Sequence, residues 1–116
     1  MTDFASLVQL EALCSSARTC RLFVERKGDS DFTEASFLGY QPQELRNWSM
    51  DGVTAFHDAV VFSFAGGVGQ KVLGTYITDS SGRPLGERFT EVFKSPFEMK
   101  VTRDELEVMP RIVLAE

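Results

Sequence analysis

The chain has 116 residues, with 12 Lys and Arg against 17 Asp and Glu, a formal charge of −5 and a pI near 4.9. That length suits a single domain, and a 43% hydrophobic content with ten phenylalanines supplies a core without a disulfide or metal staple. The acidic balance lacks the basic run with which Lys and Arg displace counterions from phosphates, so nucleic acid is not an expected partner.

The first twenty residues contain Asp3 and Glu11 and no basic start followed by an apolar stretch, so they do not read as a secretory signal. Apolar runs such as Ala59-Val60-Val61-Phe62 fall far short of the roughly 20 residues that cross a bilayer, and no membrane partner is expected. Cys14 and Cys20 form neither a CxxC motif nor half of a zinc site, and read as ordinary reduced thiols.

Between Thr2 and Arg18, Phe4, Leu7, Val8 and Leu13 recur near helical spacing, with Thr2 or Asp3 as N-cap, which predicts a helix over 1–18. From Cys20 the period becomes two, with Cys20, Leu22 and Val24 alternating with Arg21, Phe23 and Glu25 before Lys27-Gly28-Asp29-Ser30-Asp31 ends the strand. Glu34 to Trp48 has little periodicity and predicts a looping crossover anchored by Phe37, Tyr40 and Trp48. Val53 to Phe64 predicts one strand with Val60, Phe62 and Phe64 on one face, ending at the glycine-rich Ala65-Gly66-Gly67-Val68-Gly69.

Val72 to Thr78, the turn Asp79-Ser80-Ser81-Gly82 and a return arm over Leu85 to Phe93 predict a hairpin, broken at Lys94-Ser95-Pro96. Phe97, Met99 and Val101 form a further half-buried strand, and after Thr102-Arg103-Asp104 the residues Leu106, Val108, Ile112 and Leu114 share a face. Pro110 has no N–H for a ladder, which places the last run at an edge or a bulge. The expected architecture is mainly β, an antiparallel sandwich of jelly-roll or immunoglobulin-like type over 20–116 with one N-terminal helix, forming one domain over 1–116.

His57 is the single histidine, so any catalytic triad or His-metal scheme depends on it. It has no GxSxG or HxxxH companion, and reads as a solvent-facing or strand-end residue. Gly66-Gly67-Val68-Gly69-Gln70-Lys71 departs from a phosphate loop, because Gln70 separates Gly from Lys and a β-branched run follows. Asp29, Asp31 and Glu34 lack the spacing of a calcium loop. Glu87, Glu91, Glu98, Asp104, Glu105 and Glu107 alternate with apolar residues as the wet face of a sheet does, rather than as a glycosidase pair. No enzyme, cofactor or metal site is therefore expected.

The segment order resembles small virion structural proteins of tailed bacteriophages. The resemblance rests on a short first helix, Arg21-Leu22-Phe23-Val24-Glu25, Asp31-Phe32-Thr33-Glu34-Ala35-Ser36-Phe37-Leu38-Gly39-Tyr40, Trp48, Val60-Val61-Phe62-Ser63-Phe64, Val72-Leu73-Gly74-Thr75-Tyr76-Ile77-Thr78-Asp79 and the closing Leu106 to Leu114. It implies a non-enzymatic virion component made in the host cytoplasm: a capsid decoration (cement) protein bound to the major capsid protein, or a tail or fibre part. Phe23, Val61, Val92, Met109 and Val113 lie opposite the predicted core faces and would meet the other sheet, the helix or a partner subunit in a homo-oligomer. Phe23, Phe37, Tyr40, Trp48 and Met109 are the candidate interface or loop-anchor residues. A glycan-binding module would instead use Tyr40 and Trp48 as stacking surfaces.

Overall fold

The helix α1 spans Phe4–Ser16 in the computed structural model, which describes residues 4–28, 31–51, 54–65, 69–85, 89–99 and 103–113. The expected caps Thr2 and Asp3, the turn residues 66–68 and the sequence positions Asp29, Glu87, Val101, Thr102 and Leu114 lie outside these residues. The helix turns Leu10 and Cys14 inward, with Ala17 just beyond its end. These positions are spaced four and three apart and so share one face. Val8 was expected on that face and is exposed instead. It sits two residues from Leu10, on the far side of a 3.6-residue turn.

Among the described residues ten strands follow: β1 (Thr19–Arg26), β2 (Phe32–Glu34), β3 (Gln43–Glu44), β4 (Trp48–Asp51), β5 (Thr54–His57), β6 (Val60–Ala65), β7 (Lys71–Thr78), β8 (Glu91–Glu98), β9 (Arg103–Val108) and β10 (Arg111–Val113). The fold is mainly β with one helix, and every pairing among the named strands is antiparallel. One sheet runs β2-β1-β7-β8 with β3 also on β1, a second runs β10-β5-β4, and a third is β6-β9.

The three sheets share one long hairpin. Thr54 pairs with Val113 at one end, Val60 to Ala65 pair with Val108 to Arg103 in the middle, and Thr75 pairs with Glu91 near the other end. The outgoing arm (β5, β6, β7) and the return arm (β8, β9, β10) are thus one two-stranded ribbon. It is creased twice, and each segment recruits different neighbours. At one crease residues 57–59 face only 109–110, because Phe56 pairs with Arg111 and Val60 with Val108. That extra residue is a bulge, so the inward set changes from Ala55 and His57 to Val60, Phe62 and Phe64. At the other crease Met99 donates its N–H to Gln70 O and accepts the Gly69 N–H.

The arms are joined at Asp79, whose carboxylate accepts the N–H groups of Ser81 and Arg83. Gly82 takes φ +84° there, as a tight turn requires. The predicted return strand over Leu85 to Phe93 needs correction. Leu85 still bonds Ile77, but Phe89 is a buried plug outside the strand and β8 begins at Glu91. β8 also continues through Pro96, where a break was expected. Its pairing with β7 is interrupted there, since Val72 pairs with Phe97 but Gly74 already pairs with Val92. A proline and an irregularity are tolerated because β8 is an edge strand. Pro110 likewise separates β9 from β10, as its missing N–H predicts.

The looping crossover expected over Glu34 to Trp48 contains β3, ends in β4 and forms a bridge from Leu38 to Ala65. Together β4, Leu38 and β1 cover parts of the outer edge of the outgoing arm. The return arm has no strand on its outer edge among the described residues. The buried cluster draws on α1 (Leu10, Cys14), β1 (Leu22), β5 (Ala55), β6 (Phe62, Phe64), β7 (Val72, Ile77) and β10 (Ile112). The molecule is elongated, 48 × 27 × 26 Å, and its radius of gyration of 14.7 Å exceeds the roughly 13 Å usual for this length.

Candidate functional site

Phe23 does lie opposite the main core, and it is covered from within the chain, at 1% exposure. Phe32 and Tyr76 stack face to face at 4.3 Å, and Phe23 packs at 5.1 Å from Phe32 and 6.3 Å from Tyr76. The ring lies against Gly74, where an added Cβ would fall 2.8 Å from it. Phe23 is therefore a packing residue of this small aromatic layer and not an exposed interface residue, because the short strand β2 carries Phe32 over it.

The crossover anchors are built into the fold. Phe37 is buried edge-on to Phe64 at 5.1 Å. Tyr40 stacks on Phe62, donates its hydroxyl to Glu34 Oε2 at 2.6 Å and accepts the Leu22 N–H at 3.1 Å. Burial, and then the bond to Glu34, push the Tyr40 phenol well above its usual range. Arg21 completes the network, holding both Glu34 oxygens at 3.1 Å and Thr78 Oγ1 at 3.0 Å. Glu34, expected in an acidic loop, is thus a partner of Arg21.

His57 closes β5 and is buried, not solvent-facing. Its Nε2 accepts the N–H groups of Arg46 at 2.8 Å and Asn47 at 3.0 Å, and Nδ1 lies 2.8 Å from Asp58 O. Two donors aimed at Nε2 select the neutral imidazole with its proton on Nδ1. The residue clamps the crossover to the crease in the ribbon. Trp48 meets it edge-on at 5.1 Å and is half-buried. Cys14 and Cys20 are free and buried. Burial and then the Glu91 charge push the Cys20 thiol up to about 12.

Several large apolar side chains are open to solvent. Leu38 is 75% exposed, Met109 63%, Val92 59% and Val61 40%, and Phe56 is also exposed. Val61, Val92 and Met109 were expected on the second face; the Val113 side chain lies outside the described residues. Leu38 and Phe56 were missed by the sequence reading, since Leu38 falls in an aperiodic segment and Phe56 shares β5 with inward Ala55 and His57.

Between β8 and β9 runs a groove of about 700 Å³, lined by half-buried Phe93, Phe97 and Leu106, by Glu91, Glu98 and Asp104, and by Lys94. A second concavity, about 710 Å³, lies beside α1 and has mixed charge, with Glu11, Arg18, Glu44 and Arg46 around Trp48. Arg46 is already paired with Glu44. No group of His, Cys, Asp and Glu that could hold a metal ion occurs among the described residues. None of their helices is long and apolar enough to cross a membrane. No family model, curated protein or solved structure matches the chain.

Proposed function

We propose that the chain is a non-enzymatic assembly protein of a tailed-phage particle, a capsid decoration protein that binds the head lattice through protein–protein contacts. The observation that carries this reading is the exposure of Leu38, Val61, Val92 and Met109 on a chain whose Phe23, Phe37 and Tyr40 pack against other rings of the same chain. Apolar side chains left in water on an elongated molecule are surface that a partner can cover. The sequence resemblance supplies the particle. Tyr40 and Trp48, the stacking surfaces that a glycan module would need, pack against Phe62 and His57. That packing favours the assembly reading over the glycan one.

The test combines light scattering of the purified chain with co-sedimentation on tailed-phage heads stripped of their accessory proteins. A closed oligomer that binds heads saturably is the expected result. A monomer found only in the supernatant refutes the head assignment, and retention on purified tails would move the chain to the tail.

A further inference from the structure

Strand β9 pairs on one side, with β6. Among the described residues its sheet has two strands, β6 and β9, the fewest of the three sheets. Its outer edge carries no strand among the described residues, and unpaired edge N–H and C=O groups are a template for an added strand. The neighbouring edges are guarded, β8 by its irregular pairing and Pro96, and β10 by its shortness and the preceding Pro110. The six residues of β9 are guarded by charge and by the Asp104 carboxylate, which accepts the Glu105 N–H at 2.8 Å and which an added strand would displace.

The side chains around this edge specify what fits it. Leu106 and Asp104 pair with inward Phe62 and Phe64 and line the groove with Phe93 and Phe97. Glu105 and Glu107 are exposed on the opposite face, beside Ser63 and Val61. A strand laid along β9 would therefore turn every second side chain onto an apolar floor and the alternate ones toward Glu105 and Glu107. Glu91, Glu98 and Asp104 add acid to the groove, against Lys94 alone among its lining residues. Pairing of a second copy of β9 antiparallel about Leu106 is disfavoured, because it would set Glu105 directly opposite Glu107 of the other copy.

Resting on the assembly reading above, we infer that β9 is a docking edge for an extended segment of a different protein, alternating apolar with Lys or Arg residues, that joins the β6-β9 sheet as its third strand. The partner supplies main-chain hydrogen bonds to β9, apolar side chains to Phe93, Phe97 and Leu106, and cations to Glu105 and Glu107.

The experiment uses the full chain and a fluorescent Lys-Val-Lys-Val-Lys-Val-Lys peptide, with a Glu-Val counterpart and two versions N-methylated either at every valine or at every lysine. The Lys-Val peptide should bind at least tenfold more tightly than the Glu-Val one and slow hydrogen exchange at residues 103–108. Glu105→Lys with Glu107→Lys, both on the solvent face, should reverse the preference. At least one N-methylated version should lose tenfold or more. Equal binding of both N-methylated versions and the parent peptide would mean ionic association without a ladder, and would overturn the inference. So would absence of binding, or a dimer of the free chain that the peptide displaces. Head binding without peptide binding defeats this inference alone, whereas peptide binding without head binding defeats the assignment to heads alone.

Discussion

Gly74 sits in the five-stranded sheet with no room for a Cβ, and its replacement with alanine has a measurable cost. A Cβ there would fall 2.0 Å from Glu91 O and 2.8–2.9 Å from two ring carbons of Phe23. The ring can be displaced, but only by disturbing its contacts with Phe32 and Tyr76. The carbonyl belongs to the β8 backbone and can move only if the β7-β8 pairing opens. Overpacking of a well-filled site costs about 1–3 kcal/mol, and a backbone overlap places Gly74→Ala at the upper end, about 3 kcal/mol. At about 4 °C per kcal/mol for a chain of this size, the melting temperature should fall by about 12 °C. Urea denaturation and differential scanning calorimetry measure both quantities. Gly82→Ala is the control: it has open space around it and a φ of +84°, so it should lose only about 1–2 kcal/mol from the left-handed backbone. Phe23→Leu combined with Gly74→Ala should be less destabilised than the sum of the two single variants, since one of the two overlaps is relieved. A Gly74→Ala protein within 0.5 kcal/mol of wild type would refute the close approach of β7, β8 and Phe23.

Tyr40→Phe removes the donor to Glu34 and leaves the Leu22 N–H without its acceptor; by urea denaturation it should lose about 2 kcal/mol, and an unchanged midpoint would contradict the network. His57→Phe keeps the ring volume but strips the acceptor from two backbone N–H groups, so a loss of about 2–4 kcal/mol is expected, and ¹⁵N spectra of the wild-type imidazole should show the Nδ1–H tautomer. Alkaline stability follows from the raised Cys20 and Tyr40 values. Both groups bind their protons more tightly when folded, so their contribution is complete below the ordinary thiol value of 9.0 and declines as pH rises toward about 12. Urea midpoints should therefore fall steadily above pH 9, and a flat profile from pH 8 to 11 would be inconsistent with buried thiol and phenol. Iodoacetamide labelling followed by mass spectrometry should modify Cys14 before Cys20, which has no exposure at all.

The sequence was most legible where a strand keeps one buried face. Val60, Phe62 and Phe64 alternate with exposed Val61 and Ser63, and Gly82 sits at the positive-φ position that the turn residues predict. Pro110 marked its own break. The crease at residues 57–59 was harder to see, because a single bulged residue changes which parity faces inward and the segment from Val53 to Phe64, expected as one alternating strand, has no glycine or proline to mark it. The parity change from Ala55 and His57 to Val60 and Phe62 was its only trace. Strands of two to four residues such as β3 and β4 are too short to show a period. The candidate site was legible in part: alternation put Val61, Val92 and Met109 outside the core, and they are exposed. Alternation also put Phe23 opposite the core, but its cover comes from Phe32 and Tyr76, a contact between distant segments that no local pattern encodes. The free edge of β9 was invisible for the same reason, since it depends on which strands fail to pair.

The most direct test of the assembly account is electron cryomicroscopy of stripped tailed-phage heads incubated with the full chain. The account predicts additional ordered density repeated over the capsid lattice, with each copy fitting a molecule 48 Å long whose exposed Leu38, Val61, Val92 or Met109 is buried at a contact. Heads that remain bare at saturating protein, or density with none of these side chains at the contact, would contradict it.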